Sequence, residues 1–105
     1  MKEIDKDNFD KLVIEGKGII LVDYFSDGCE PCKALLPEML ELENLYKDRV
    51  TFYKFNTSKA RRLAIREKIL GLPTITIYEN GAKKNELTKD EATRYKIEQM
   101  ILKAL

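Results

Sequence analysis

The chain has 105 residues, 44% of them hydrophobic and 35% charged, which supplies enough apolar side chains for a core and predicts a single domain over residues 1–105. Nineteen Lys and Arg against eighteen Asp and Glu give a formal net charge of +1, so no long-range field favours nucleic acid or an anionic membrane. No apolar run reaches the roughly 18 residues of a membrane span, and the first residues do not resemble a signal peptide. These features favour a cytoplasmic protein with no nucleic-acid or membrane partner.

The N-terminal part predicts a short helix followed by a buried strand. Apolar positions from Phe9 to Val13 recur at helical spacing, and Gly16 closes the segment. Residues 19–25 form an almost continuous run of branched apolar side chains, which is typical of a strand buried on both faces. Asp23 is the one residue that does not fit this pattern.

A long helix and a second strand come next. Apolar spacing predicts a helix that follows the two cysteines at positions 29 and 32 and continues to about Tyr46. A kink is expected at Pro37, because proline removes a backbone donor. Residues 50–56 repeat the pattern of a buried strand, and Lys54 is the misfit there.

A further helix and a hairpin are predicted in the second half of the chain. Ser58 is expected to cap a helix that ends before Gly71. Segments 74–79 and 82–87 flank Asn80-Gly81, a strong signal for a two-residue hairpin, so these strands are expected to be antiparallel.

A capping box formed by Thr88 and Glu91 is expected to open the last helix. The order of elements is helix, strand, helix, strand, helix, hairpin and helix. It predicts an α/β protein in which a parallel crossover unit and an antiparallel unit share one mixed sheet. In such a sheet the cysteines lie where a central strand gives way to a helix.

Cys29 and Cys32 are the only cysteines, and the chain has no histidine. A closed zinc site needs four ligands, so no metal is expected unless a dimer shares a site or carboxylates complete it. Hydrolases of the Ser-His-Asp or Cys-His kind would lack their general base. A purely structural disulfide closing so short a loop contributes only about 2 kcal/mol, and a reducing cytosol would open it. Dithiol redox chemistry is therefore the favoured interpretation.

Several segments together resemble the thioredoxin family. Residues 23–26, followed by Gly-Cys-Glu-Pro-Cys-Lys at 28–33, resemble its active-site segment. Lys54 stands where the family has a lysine near an active-site aspartate, 71–74 resembles the loop with a cis proline, and 80–81 resembles the hairpin turn. The resemblance implies a thioredoxin fold, with a central mixed β-sheet flanked by helices.

The resemblance also implies roles for four residues. Cys29, at the start of a helix whose backbone donors stabilise a thiolate, would be the nucleophile. Cys32, about one turn into the helix, would be the more shielded resolving thiol. Asp23, a carboxylate in an apolar strand, would accept the proton of Cys32, and Lys54 would tune that carboxylate. The alternatives are that Asp23 faces solvent and that Lys54 extends outward.

Five further positions are expected to form the substrate-binding surface: Gly28, Glu30, Pro31, Leu72 and Pro73. A cis peptide bond before Pro73 would turn the backbone of Leu72 toward the sulfur atoms and offer an edge to an extended substrate. An ordinary loop proline is the alternative.

The sequence departs from the family at four positions. Gly28 stands where a tryptophan is usual, and Phe25 occupies another position that is often tryptophan. Glu30 and Lys89 replace two usual glycines. These changes predict a more open substrate surface with added charge, and Glu30 is expected to favour substrates with basic residues near their disulfide. Because Glu30 is exposed, its effect on the Cys29 thiolate should be small.

A cluster of basic side chains follows the second strand. Its members are Lys59, Arg61, Arg62, Arg66 and Lys68. Such clusters are mostly a solvated helix face, and that interpretation is favoured over an anionic partner.

The predicted function is a thiol-disulfide oxidoreductase that reduces protein disulfides through Cys29 and Cys32 and needs no cofactor beyond this pair. The expected partners are disulfide-bearing proteins and a thioredoxin reductase, either flavin-dependent or ferredoxin-linked, and the chain is expected to be a monomer. The alternative is a non-catalytic binding module with this fold in a larger redox complex.

Overall fold

Five strands form one mixed sheet in the computed structural model, which describes residues 1–105. The strands are β1 (Lys2–Ile4), β2 (Ile19–Phe25), β3 (Val50–Asn56), β4 (Thr74–Glu79) and β5 (Ala82–Thr88). Their order is β1-β3-β2-β4-β5. β1 and β2 run parallel to β3, whereas β4 runs antiparallel to both β2 and β5. This arrangement confirms the predicted fold class.

Three α-helices accompany the sheet: α1 (Glu30–Tyr46), α2 (Arg61–Arg66) and α3 (Arg94–Ala104). Pro37 lies inside α1 and does not end it. None of the helices combines the length and apolarity needed to cross a membrane.

The central strand β2 contributes to two apolar clusters, because alternate side chains point to opposite faces of a sheet. Leu21 belongs to a cluster with the buried side chains of α1 and α3. Val22 and Tyr24 belong to the second cluster, on the other face, together with Phe9 and Phe55. Asp23 alternates with Val22 and Tyr24, so it faces the α1 side of the sheet.

The N-terminal prediction was partly wrong. Residues Lys2–Ile4 form an edge strand that the sequence pattern did not indicate, because only Ile4 of the three is buried. The predicted first helix is a single π-helical turn over Asp10–Ile14.

Two predicted helix caps were also wrong. Ser58 lies in a 3-10 turn, and its Oγ accepts a hydrogen bond from the Asp27 N–H (3.0 Å), while α2 starts at Arg61 without a side-chain cap. Thr88 is hydrogen-bonded through its Oγ1 to Thr74 Oγ1 (2.8 Å), and the helix α3 is capped by Thr93 instead. In both cases a distant partner in the fold takes the hydroxyl group that local spacing assigned to a cap.

Gly81 should be much less tolerant of substitution than Gly18. Both have a left-handed backbone conformation, with φ of +84° and +78°, but only at Gly81 would a Cβ collide with the carbonyl oxygen of Ile14. We expect Gly18→Ala to lower the free energy of unfolding by about 1 kcal/mol and Gly81→Ala by about 2 to 4 kcal/mol. Urea unfolding of the two variants measures the difference, and equal losses would contradict the assigned collision.

Candidate active site at the start of helix α1

The two cysteines are bonded to each other at the N-terminus of α1, with their Cα atoms 5.3 Å apart. Cys29 is the N-cap residue, and its Sγ accepts a hydrogen bond from the Cys32 N–H at 3.2 Å. Cys29 is half-buried, whereas the Cys32 side chain is only 5% exposed. One sulfur is therefore reachable from solvent and the other is shielded, as the sequence predicted.

The local sequence places the pair at the first turn of the helix for physical reasons. Pro31 lies at a position where the missing N–H has no helical partner to lose, and its fixed φ suits a helix start. The backbone N–H groups of this turn carry partial positive charge and point toward Cys29. A thiolate on Cys29 in the reduced protein is stabilised by that arrangement.

Asp23 is buried in β2, with 3% of its surface exposed. Its Oδ1 has no hydrogen-bond partner. Burial raises the pKa of the Asp23 carboxyl to about 7, and the positive charge of Lys54 opposes that shift. The alternative of a solvent-facing Asp23 is thereby excluded, and the group titrates near neutral pH.

A cavity of about 160 Å³ connects the buried carboxyl and the shielded sulfur. Asp23, Cys32 and Lys54 all line it, together with Phe25, Ser26, Asp27, Lys33 and Leu36. The fold thus brings three of the sequence-predicted site residues to one space. A proton leaving the Cys32 thiol has a carboxyl group within the same cavity.

Lys54 lies opposite Asp23 in the parallel pairing of β2 and β3. The lysine is half-buried, and its Nζ lies 5.8 Å from the centre of the Phe25 ring. This aromatic contact holds the cation close to the cavity rather than extended into solvent.

The Leu72–Pro73 peptide bond is cis, as the resemblance implied. Both residues line a groove of about 740 Å³, and Pro31 lines the same groove. The Lys89 N–H donates a hydrogen bond to the Pro73 carbonyl oxygen at 2.8 Å, which ties the loop to the end of β5. The side chain of Lys89 lies across Gly71, so the lysine reaches this groove as well.

Gly28 and Glu30 line neither of these two spaces. A Cβ built on Gly28 would have no atom within 4 Å, so the surface beside Cys29 is open there. The exposed carboxylate of Glu30 lies 3.3 Å from the Lys33 ammonium group. This pairing offsets part of the negative charge that Glu30 brings to the site.

A polar network that the sequence analysis missed fixes the segment before Cys29. Asn56 Nδ2 donates to Asp27 Oδ1 at 2.8 Å, and Thr57 Oγ1 donates to the Phe25 carbonyl oxygen at 3.0 Å. Ser58 adds the bond to the Asp27 N–H described above. The two loops are about thirty residues apart in the chain, and local spacing carries no signal of their contact.

A bonded cysteine pair at a helix N-terminus, beside a buried carboxyl group, defines a thiol-disulfide oxidoreductase. The thioredoxin family model matches residues 1–103, and the chain belongs to the thioredoxin family. It is 62% identical over 101 residues to a thioredoxin of Peptoclostridium acidaminophilum, covering 96% of this chain and 92% of the relative. A thioredoxin of Acetoanaerobium sticklandii is 55% identical over 103 residues, with 98% of each chain covered. A chloroplastic M-type thioredoxin of Spinacia oleracea is 28% identical over 87 residues, 83% of this chain and 48% of that protein.

Membership of this family settles the predicted activity. The protein is a protein-disulfide reductase whose redox group is its own cysteine pair. Its partners are disulfide-bearing proteins and a reductase that restores the dithiol. Nothing in the fold or in the relatives favours the alternative of a non-catalytic binding module.

Proposed function

We propose that Cys29 attacks the substrate disulfide and that Cys32 resolves the mixed disulfide. The supporting observation is the asymmetry of the pair: Cys29 is reachable and accepts a backbone N–H, whereas Cys32 is 5% exposed and shares a cavity with Asp23. An attacking thiolate needs access and stabilisation, while the second thiol needs only proximity.

The reaction starts from the reduced dithiol. The Cys29 thiolate forms a bond to one substrate sulfur, and the other substrate sulfur leaves as a thiolate that takes up a proton. Cys32 then loses its proton and attacks Cys29 Sγ, which breaks the mixed disulfide and releases the second substrate thiol. Two electrons and two protons pass to the substrate, and the protein is left with the Cys29–Cys32 disulfide of the described structure.

We assign Asp23 the role of proton acceptor for Cys32. A carboxyl group whose pKa is about 7 accepts and returns a proton at neutral pH, and an unpartnered Oδ1 in the shared cavity is free to do so. Lys54 lowers the pKa of this carboxyl through its charge and so keeps part of the Asp23 population ionised.

The groove beside the cis peptide bond is the proposed substrate-binding surface. Leu72 and Pro73 would offer backbone groups to an extended substrate strand, and Pro31 lines the same groove. Gly28 would leave room beside Cys29 for bulky substrate side chains, and Glu30 would place a charge at the rim.

We further propose a cytoplasmic monomer that consists of one domain over residues 1–105. One sheet spans the chain, the family model matches 1–103, and a dithiol used for reduction suits a reducing compartment. The most exposed large hydrophobic side chains, Leu45, Ile65, Leu70 and Tyr95, are scattered along the sequence. The reductase would be flavin-dependent or ferredoxin-linked, and recharging assays with each type distinguish the two.

The deciding experiment is an equilibrium titration of the cysteine pair against dithiothreitol, followed by the mass shift on thiol labelling. A reversible two-electron transition with a midpoint potential at or below that of the cytosolic glutathione pool supports a reductase. A transition as oxidising as that of disulfide isomerases would contradict reduction as the physiological direction.

Glu30→Gly should weaken a preference for basic substrates only slightly. The carboxylate is exposed and already paired with Lys33, so its contribution is screened. We expect the ratio of kcat/KM for a lysine-flanked against a glutamate-flanked disulfide peptide to fall about two- to threefold. Glu30→Gln, which removes charge but keeps the side chain, is the matched control and should give the same ratio. Identical ratios for the wild type and both variants would discard the role of Glu30.

A further inference from the structure

A concave basic surface lies next to the active site but outside it. It has a volume of about 440 Å³ and is bordered by the loop before α2, the start of α2 and the loop after β1. We call it the basic groove and define it by its cations Lys6, Lys59, Arg61 and Arg62. Lys6 comes from a part of the chain more than fifty residues away from the other three, so folding assembles the groove.

The four cations that define the basic groove form no ion pair within the protein. None of the four takes part in a salt bridge or a side-chain hydrogen bond, whereas Arg66, which also lines the groove, is bonded to Asp10 and Glu67. Asp7 is the only carboxylate that lines the groove, and Lys6 and Lys59 also line an adjoining cavity that contains Glu3, Asp5 and Asp27. The chain as a whole carries a formal charge of +1, so this concentration of positive charge is local.

The basic groove adjoins the segment that leads into Cys29. Ser58, the residue before Lys59, accepts the Asp27 N–H at 3.0 Å, and Asp27 lies two residues before Cys29. Gly28 leaves the surface open on the way. An extended peptide advances about 3.3 Å per residue, so a chain bound at Cys29 reaches the groove within roughly five residues.

We propose that the basic groove docks an acidic segment of the protein substrate, located within about five residues of the disulfide that Cys29 attacks. This rests on the proposed function, because it requires a substrate disulfide at Cys29. Guanidinium groups bind carboxylates through paired hydrogen bonds, and an opposite charge on the substrate complements the unpaired cations. The ion pair of Glu30 with Lys33 lies on the other side of Cys29 in the sequence and leaves the groove's charge unchanged.

A nucleic acid is a poorer occupant of the same surface. The side chains lining the groove include no aromatic ring on which a base could stack. The small net charge also gives no long-range attraction for a polyanion. A short acidic segment needs neither feature.

Three disulfide peptides test the proposal. They share the sequence around the disulfide and carry two glutamates, two glutamines or two lysines about four residues away from it. The groove variant is Lys59→Gln, Arg61→Gln and Arg62→Gln combined. The control variant, Lys17→Gln, Lys84→Gln and Lys103→Gln, removes the same charge from exposed positions outside the groove and the active site.

The groove variant should lose about tenfold in kcat/KM on the glutamate peptide, through KM, and change by less than about twofold on the glutamine peptide. The control variant should stay close to the wild type on both, and added salt should remove the preference of the wild type. A single Arg62→Glu change should raise kcat/KM for the lysine peptide, which a merely structural role would not produce.

Four results would overturn the proposal. They are equal reduction of all three peptides by the wild type, equal losses on all three in the groove variant, the same loss in the control variant, and inhibition by a single-stranded oligonucleotide without any peptide preference. The last result would assign the groove to nucleic acid. Failure of the wild type to reduce any of the peptides would instead reject the proposed function, and the docking proposal with it.

Discussion

Cys29→Ser is expected to reduce the turnover of protein disulfides to the uncatalysed background, a loss of at least about a thousandfold. A serine hydroxyl is not ionised at neutral pH, so no anion forms at the position that the helix start and the Cys32 N–H stabilise. The measurement is insulin reduction with dithiothreitol as the electron donor. Residual turnover of more than about one per cent would contradict the role of Cys29 as nucleophile.

Cys32→Ser should block the same cycle at a different step. Its Cys29 still attacks, but no thiol is present to break the mixed disulfide, so one equivalent of substrate remains bound. Intact mass spectrometry should detect this adduct for Cys32→Ser and not for Cys29→Ser.

Because Cys32 is 5% exposed while Cys29 is half-buried, alkylation of the reduced wild-type protein should modify Cys29 first. An adduct on Cys29→Ser and none on Cys32→Ser would show that Cys32 is the attacking thiol and Cys29 the resolving one.

Asp23→Asn is expected to abolish most of the pH dependence of stability between about pH 4 and pH 7. In the wild type, burial raises the pKa of Asp23 from 3.8 to about 7. Between these values the folded protein keeps the proton that the unfolded chain has lost, so the unfolded state binds fewer protons and stability falls as the pH rises. The total loss is on the order of 4 kcal/mol and is complete above the folded pKa.

The comparison is best made on the oxidised protein, in which the cysteines do not titrate. The chain has no histidine, so no imidazole group titrates in this window. The difference in unfolding free energy between Asp23→Asn and the wild type should grow by about 4 kcal/mol from about pH 4 to about pH 8. Taking this difference cancels any constant cost of the buried amide. A constant difference across that range would show that Asp23 does not have a raised pKa.

Lys54→Met provides a matched test of the cause. Because the charge of Lys54 lowers the pKa of Asp23, its removal should raise that pKa further, so stability begins to fall at the same pH but continues to fall to a higher pH. Urea unfolding over the same pH range measures the shift. A shift to lower pH would rule out the electrostatic contact between these two strand neighbours.

The Asp23→Asn variant also separates the two chemical steps, the attack by Cys29 and the resolution by Cys32. Asp23→Asn should leave the attack by Cys29 nearly unchanged but slow the release of the mixed disulfide, because Cys32 loses its proton acceptor. The slowing should be strongest below neutral pH and fade in alkaline solution, where the thiol ionises unaided. Rapid-quench measurement of the mixed disulfide gives both rates, and equal slowing of the two steps would argue for a general structural effect.

Local patterns in the sequence were sufficient for the class of the protein. The informative features can be read without knowing the fold: the spacing of Cys29 and Cys32, and the charged residues Asp23 and Lys54 within apolar strands. The absence of histidine follows from the composition alone. Apolar runs and the Asn80-Gly81 turn depend on neighbouring residues, so they correctly predicted four of the five strands and their directions.

Features that depend on distant partners required the folded chain. The hydroxyl groups of Ser58 and Thr88 bind Asp27 and Thr74 instead of capping helices, and the short edge strand β1 is defined by its pairing with β3. The pKa of Asp23 depends on how completely β2 is covered, and the basic groove exists because Lys6 is brought to Arg61 and Arg62. Periodicity and spacing describe only neighbours in the chain, whereas burial, pairing and local charge density depend on residues that the sequence places far apart.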